Sequence, residues 1–188
     1  LHKADDGELF REFCESESFV YDDQRLKSAS FDTSKGFGLR AIAGESSGYA
    51  HSSDIDENAL KKASETVNFI TKDHNANFNA NFSKTNRKLY NEINPINETE
   101  FSEKVETLKK IDEYARSKNP NVKQVSASLN GEWQAVRIYR PGGIMIEDLR
   151  PLVRLYISIV LEKDGRQDNG SRGSGGRIDY TKFLESSH

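Results

Sequence analysis

The stretch KGFGLRAIAGESSGYAHSSD, residues 35–54, decides between two fold classes. Gly36, Gly38 and Ala41 have the G-x-G-x-x-A spacing that binds a dinucleotide pyrophosphate where a buried strand passes into a helix. The residues before this stretch alternate between polar and apolar, and the apolar residues after Gly38 alternate as well, so no helix begins there. The stretch therefore predicts antiparallel strands, with Gly36 at a hairpin turn and the other glycines where the backbone bends or packs closely.

Around this stretch, the N-terminal part of the chain predicts a meander of strands followed by one helix. Strand-like alternation covers residues 8–51, and polar residues supply the turns. The predicted turns are Asp22-Asp23, Ser34-Lys35-Gly36 and Gly44-Glu45. Either Asp54 or Asp56 is a suitable N-cap for the helix, because apolar residues recur at helical spacing after both. The apolar residues of this helix are Leu60, Ala63, Val67 and Ile70.

The second half of the chain repeats this plan in reverse order. Thr99 is a plausible cap for a helix over residues 99–118, which Asn119-Pro120 ends. Alternating strands follow, with a two-residue hairpin predicted at Asn130-Gly131. Further turns are predicted at Pro141-Gly142-Gly143 and Asp164-Gly165.

The predicted fold class is α+β, with two antiparallel strand meanders that each pack with a helix and are joined by an extended Asn-rich linker. Four segments follow from this interpretation. They are an N-terminal α+β domain over 1–74, a linker or crossover over 75–98, a second α+β region over 99–165, and a Gly/Ser-rich loop over 166–188 that begins a missing C-terminal region.

The composition excludes several classes of protein. The net charge is −3 and no block of five Lys or Arg occurs, so we expect no direct nucleic-acid binding. No apolar run approaches the roughly 20 residues that span a bilayer, and the first residues contain no apolar signal core. We therefore expect a soluble cytoplasmic protein. Cys14 stands alone, so a disulfide framework is excluded.

The residues that could carry catalysis or hold a metal form no local motif. The chain has four histidines, and none has a His or Cys within four residues; they are His2, His51, His74 and His188. Gly44, Ser46 and Gly48 have the spacing of a serine elbow, but a strand follows where that motif needs a helix. We predict no catalytic residue and no metal ligand in this chain.

The Gly/Ser-rich segment holds the candidate binding residues. Flexible glycines that flank two arginines could contact an anion or the carboxylate of a peptide. The predicted contact residues are Arg172, Gly173, Gly175, Gly176 and Arg177. A linker to a further domain is the alternative interpretation, since this composition is also typical of mobile linkers.

Three segments in order resemble the TldD/PmbA metallopeptidase family, and are closer to its TldD-type than to its PmbA-type members. They are DDQRLKSASFDTSKGFGLRAIAGESSGYAHSSD, residues 22–54; KVETLKKIDEYARSKNPNVKQVSASLNGEWQAVRIYRPGG, residues 104–143; and DLRPLVRLYISIVLEKDGRQDNGSRGSGGR, residues 148–177. The resemblance covers most of residues 5–177 and corresponds to the N-terminal and middle regions of the family.

This resemblance implies a bacterial cytoplasmic zinc metallopeptidase that degrades or processes unfolded peptides. In the family, a TldD-like subunit pairs with a PmbA-like subunit, and some PmbA-type members were named modulators of DNA gyrase. The family's zinc site is a His-Glu-x-x-x-His motif in its C-terminal region, and this chain lacks that motif. We therefore expect a non-catalytic portion that is inactive alone and binds no zinc. A stand-alone interaction or assembly module, through a PmbA-like partner or self-association, is the alternative.

Overall fold

A computed structural model describes residues 4–71 and 90–185 and has an α+β fold. The strands are β1 (Asp6–Asp22), β2 (Arg25–Ala43), β3 (Ser46–Ser52), β4 (Val122–Arg140), β5 (Ile144–Lys163) and β6 (Arg166–Gly176). The α-helices are α1 (Glu57–Asn68), α2 (Pro95–Glu98), α3 (Phe101–Lys118) and α4 (Thr181–Glu185), and short 3₁₀ turns cover Phe69–Thr71 and Pro141–Gly143. None of these described helices is both long and apolar enough to cross a membrane.

The six described strands form one antiparallel sheet in the order β3-β2-β1-β4-β5-β6. This order consists of two three-stranded meanders that meet where β1 pairs with β4. The antiparallel sheet together with the helices confirms the predicted α+β class. The linker predicted over 75–98 falls largely on residues 72–89, which lie outside the described residues, and its extended form stays a prediction.

The chain divides into two compact units that alternate along the sequence. One unit comprises Leu1–Cys14, Thr33–Lys88 and Gln134–Leu149; the other comprises Glu15–Asp32, Leu89–Trp133 and Arg150–His188. The strands β1, β2, β4 and β5 each contribute residues to both units, since a unit boundary falls within each of these four strands. The predicted domains follow chain order instead, and their boundaries stay a prediction.

The first unit has a core between β2 and α1. Ala41 and Val67 are completely buried there, and Phe37, Leu39 and Ala63 belong to the same buried cluster. The Asp56 side chain caps α1, because its Oδ1 accepts a hydrogen bond of 2.8 Å from the Ala59 N–H. The predicted helix is thus confirmed, and Asp56, not Asp54, is its cap.

The second unit has its core between α3 and strands of the sheet. Leu108 of α3 and Val125, Leu129 and Val153 of the strands are almost completely buried. The helix predicted over 99–118 is confirmed, but the predicted Thr99 cap is wrong. Glu100 is the N-cap residue, and its side chain makes no capping hydrogen bond.

The structure corrects two predicted hairpins. Gly36 lies inside β2 and Gly131 lies inside β4, so neither segment turns. Both glycines are explained by close approach: a Cβ on Gly36 would lie 2.9 Å from the Ser52 carbonyl oxygen, and one on Gly131 would lie 1.9 Å from the Tyr180 hydroxyl. The turn next to Asp22 is present, with positive φ at Asp23 and Gln24.

Two segments predicted as irregular are regular in the structure. The last residues of the linker predicted over 75–98 form the short helix α2, with Pro95 at its first turn and Asn94 as its cap. The Gly/Ser-rich segment was expected to be a loop, but residues 166–176 form β6. This strand pairs with β5 along its whole length, from Lys163 opposite Arg166 to Val153 opposite Gly176. Main-chain pairing needs no side chains, so the glycines do not prevent it.

Candidate peptide-binding edge

The strand β6 forms one edge of the sheet. It is the last strand in the sheet order, and β5 pairs with its inner side. Within residues 4–71 and 90–185, no strand pairs with its outer side. Every residue of its 11 is exposed except Gly176, which is half-buried. An edge strand presents unpaired N–H and C=O groups, and such a row can accept a further strand.

Glycine leaves the main chain of this edge largely uncovered. A Cβ at Gly175 would lie 2.5 Å from the Val153 carbonyl oxygen, so a side chain there would push β6 away from β5. A Cβ at Gly170 or Gly176 would meet nothing within 4 Å. The edge therefore combines one glycine that the pairing requires with others that simply leave the backbone accessible.

The five predicted contact residues lie together at this edge, although on a strand instead of a loop. Arg172, Gly173, Gly175 and Gly176 belong to β6, and Arg177 follows directly. The Arg177 guanidinium lies 4.7 Å from the centre of the Tyr90 ring, and its Nη1 donates a 3.4 Å hydrogen bond to the Pro151 carbonyl. Arg177 thus holds the end of the strand, whereas Arg172 is exposed in the middle of the edge.

A buried charge cluster fixes the segment that follows β6. The Tyr180 hydroxyl donates a 2.6 Å hydrogen bond to Glu17 Oε1. Lys104 Nζ lies 2.8 Å from the same Oε1 and donates to Glu17 Oε2 at 3.0 Å and to the Ile96 carbonyl at 2.7 Å. All three side chains are almost fully buried. Because each charge has its partners, the cluster joins the segment after β6 to β1 and α3 without leaving an unpaired charge.

Two further features show how tightly Tyr180 is held. Burial, and then its hydrogen bond to the Glu17 carboxylate, raises the pKa of the Tyr180 hydroxyl well above its ordinary value. The Lys104 ammonium lies 5.2 Å from the centre of the Tyr180 ring. The hydroxyl occupies the space that a side chain at position 131 would need, so Gly131 is part of the same arrangement.

This cluster forms one side of a cleft in the second unit. The cleft has a volume of about 610 Å³ and lies between α3 and the segment around Tyr180. Its apolar lining comes from Leu129, Tyr180 and Phe183, and its polar lining comes mainly from α3. A second cleft, of about 450 Å³, lies on the other side of Lys104, between α3 and residues 29–31 of β2.

The described residues do not fit a catalytic zinc site. In the stretches 4–71 and 90–185, no group of three or more His, Cys, Asp and Glu side chains is arranged to hold a metal ion. His51, the histidine within the predicted first meander, stacks on Tyr49 with ring centres 5.8 Å apart. No step of metal-assisted hydrolysis is therefore derived from these residues.

Sequence comparison identifies the family. Residues 7–68 match the family model described as PmbA/TldA metallopeptidase domain 1. Residues 94–186 match the PmbA/TldA metallopeptidase central domain. The chain belongs to the PmbA/TldD metallopeptidase family. The two matches lie on either side of the undescribed residues 72–89 and follow one another in the order that the resemblance predicted.

Curated relatives agree with this assignment. The chain is 35% identical over 184 residues to a metalloprotease TldD homolog of Haemophilus influenzae, and 30% identical over 183 residues to one of Buchnera aphidicola. These alignments cover 96% and 97% of the chain. The chain spans 38% of the length of each of these two relatives.

Solved structures share the fold. TldE from Thermococcus kodakarensis superposes with a TM-score of 0.72 at 17% identity, covering 93% of this chain and 40% of that one. A protein described as a modulator of DNA gyrase, from Bacteroides thetaiotaomicron, gives 0.73 at 15% identity, with coverages of 98% and 45%. At such identities the likeness is one of architecture.

Sequence reasoning missed the buried cluster, although one signal was present. Lys104 lies three residues after Phe101 and four before Leu108, on the same helical face as the apolar stripe of α3. A lysine at such a position predicts a buried partner of opposite charge. The identity of that partner had no local signal, because Glu17 lies 87 residues before Lys104.

Proposed function

We propose that this chain is a non-catalytic, peptide-holding portion of a TldD-like zinc metallopeptidase, which processes or degrades unfolded peptides with a PmbA-like partner in the cytoplasm. The observation that carries the proposal is the exposed, glycine-rich edge of β6. An extended peptide that adds to this edge is held by main-chain hydrogen bonds, which depend little on its sequence. Zinc, where the complete enzyme holds it, would supply the hydrolytic chemistry.

The edge suits unfolded substrates for a physical reason. The main-chain groups of a folded protein are already paired, so only an unfolded segment offers free N–H and C=O groups to β6. Each main-chain hydrogen bond contributes only about 1 kcal/mol net, so several consecutive residues must pair before binding is stable. The 11 residues of β6 provide that length. The role of the chain is therefore to hold and orient an extended peptide.

A peptide that cannot donate main-chain hydrogen bonds tests this role. A fluorescent, unstructured peptide should bind in an anisotropy titration, and the same peptide with methylated backbone nitrogens should bind at least tenfold more weakly, since the N–H donors of the added strand are lost. Hydrogen exchange should slow in β6 when the unmodified peptide is added and stay unchanged in α1, the control element in the first unit. Equal binding of both peptides, or no slowing in β6, would reject the proposal.

A stand-alone assembly module is the second candidate, and two exposed aromatic side chains favour it. Phe31 is 57% exposed and Phe101 is 55% exposed, and both line the 450 Å³ cleft. Exposed aromatic residues around a cleft are typical of protein interfaces. Co-purification with a PmbA-like subunit, or a dimer in light scattering, that is lost in Phe31→Ser would support this function. A monomer indifferent to that subunit would contradict it.

A further inference from the structure

The outer face of β5 carries three exposed side chains beside the edge. Leu152, Arg154 and Tyr156 are exposed, whereas the residues between them, such as Val153 and Leu155, are buried in the core. The register places Arg154 opposite Gly175 and Tyr156 opposite Gly173. Because residues directly opposite one another project from the same face, both glycines leave their positions on this outer face empty.

The Arg154 guanidinium reaches into the empty space. Its Nη2 lies 4.0 Å from the point where a Cβ of Gly173 would be, and its central carbon lies 5.8 Å from the centre of the Tyr156 ring. It therefore extends from β5 to the line of β6 and is supported by the aromatic ring. In the part of the chain that the structure describes, no carboxylate lies within ion-pair distance of it.

A strand added outside β6 would bring its own side chains within reach of this guanidinium. A residue opposite Gly173 would have its Cβ about 5 Å from the Cβ position of Gly173. The carboxylate of a Glu at that residue extends further by two bonds beyond Cβ and can turn back over the glycine. A carboxylate and a guanidinium then meet in a charge-assisted, bidentate geometry. A lysine at the same position would be repelled.

The charges around Arg154 also favour an added strand that carries acidic side chains. Over residues 170–177 the only charged side chains are those of Arg172 and Arg177. The acidic residues of the hairpin, Glu162, Asp164 and Asp168, lie towards its turn. Resting on the proposed function, we propose that the β6 edge selects extended acidic peptide segments, with Arg154 as the specificity-determining residue for a glutamate opposite Gly173.

Three peptides that differ at one position test the selection. The probes are labelled, unstructured peptides with an uncharged background and a central Glu, Gln or Lys, titrated at low salt. We expect the Glu peptide to bind about fivefold to tenfold more tightly than the Gln peptide, and the Lys peptide to bind most weakly. The advantage of Glu should shrink at about 0.5 M salt, because exposed charges are screened.

Two arginine variants locate the effect. Arg154→Gln should abolish the difference between the Glu and Gln peptides. Arg166→Gln, an exposed arginine at the turn end of β6, is the matched control and should preserve the difference. Urea unfolding should show unchanged midpoints for both variants, since both side chains are exposed.

The outcomes separate this inference from the function on which it rests. Equal binding of the Glu and Gln peptides, with β6 still protected from hydrogen exchange, overturns the charge selection and leaves the peptide-binding edge in place. A Glu preference that survives Arg154→Gln overturns the assignment of that residue. Binding of no peptide to β6 overturns both proposals.

Discussion

Glu17 and Lys104 form an ion pair whose side chains are only 7% and 3% exposed. Removing water from two such charges costs several kcal/mol per ion, and only close contacts and further hydrogen bonds offset that cost. Tyr180 and the Ile96 carbonyl supply those further bonds. The packing of this part of the second unit therefore depends on the placement of a few polar atoms. Gly131 has no side chain, which leaves space for the Tyr180 hydroxyl.

Gly131→Ala should destabilise the protein by about 2 kcal/mol or more, because its methyl group and the Tyr180 hydroxyl cannot occupy the same space. Urea unfolding measures the change. Gly170→Ala is the matched control, since a Cβ there meets nothing within 4 Å and should change stability little. The cost should fall clearly in a Tyr180→Ala background, which removes the clash. An equal cost in both backgrounds would contradict the explanation.

Tyr180→Phe should change how stability depends on pH. The folded state raises the pKa of this hydroxyl above its unfolded value of about 10, so its stabilising contribution is present below that pH. It is lost as the pH rises above about 10, because only the unfolded state then releases the proton. We expect the phenylalanine variant to be less stable at pH 7 and to lose less stability between pH 9 and 11. Parallel stability curves for the two proteins would contradict this.

At the scale of elements, what the sequence could predict depended on side-chain periodicity. Both long helices were predicted because apolar residues recur every three or four positions, and the first meander was predicted because Phe37, Leu39 and Ala41 alternate. The strand β6 was missed because its pairing uses only the main chain and leaves no alternating pattern. Gly36 and Gly131 were interpreted as turn residues, whereas distant contacts with Ser52 and Tyr180 explain them.

The cap of α1 gives a test at this scale. Asp56→Ala should destabilise the first unit by about 1 kcal/mol, because the Ala59 N–H loses its acceptor. Asp54→Ala is the matched control, since Asp54 precedes the cap and the capping hydrogen bond of α1 is made by Asp56. It should change stability by less than about 0.5 kcal/mol. Urea unfolding, followed by the helical circular dichroism signal, compares the two variants. Equal losses of stability would contradict the assignment of Asp56 as the cap.

At the scale of the whole molecule, each compact unit takes residues from both family domains. All of β2 and all of β1 except its first residue lie within the match to domain 1, and β4 and β5 lie within the match to the central domain. All four contribute to both units. The core of the second unit joins Phe19 of β1 to Leu108 of α3 and Val153 of β5, so it is complete only when distant parts of the chain have come together. Glu17 and Tyr180 are in contact although they are 163 residues apart. Because such long-range contacts slow folding, we expect this chain to fold slowly.

The absence of the family's zinc motif from the sequence leads to a prediction for the whole chain. The purified chain should bind no stoichiometric zinc in elemental analysis and should cleave neither casein nor an unstructured peptide. A contaminating peptidase is excluded by repeating the assay on fractions across the elution peak. Cleavage that follows the protein and stops on adding a chelator would contradict the prediction and the proposed non-catalytic role.

The edge of β6 also has a consequence for self-association of the purified protein in solution. An edge that accepts a foreign strand can equally accept the same edge of another molecule. Arg172 lies next to the middle of β6, so an antiparallel pair of such edges would bring two arginines close together, and their repulsion opposes the pairing. We expect the protein to stay monodisperse at low salt concentration. High salt, which screens the repulsion between the arginines, or Arg172→Ser should promote aggregation, and light scattering over time would measure it.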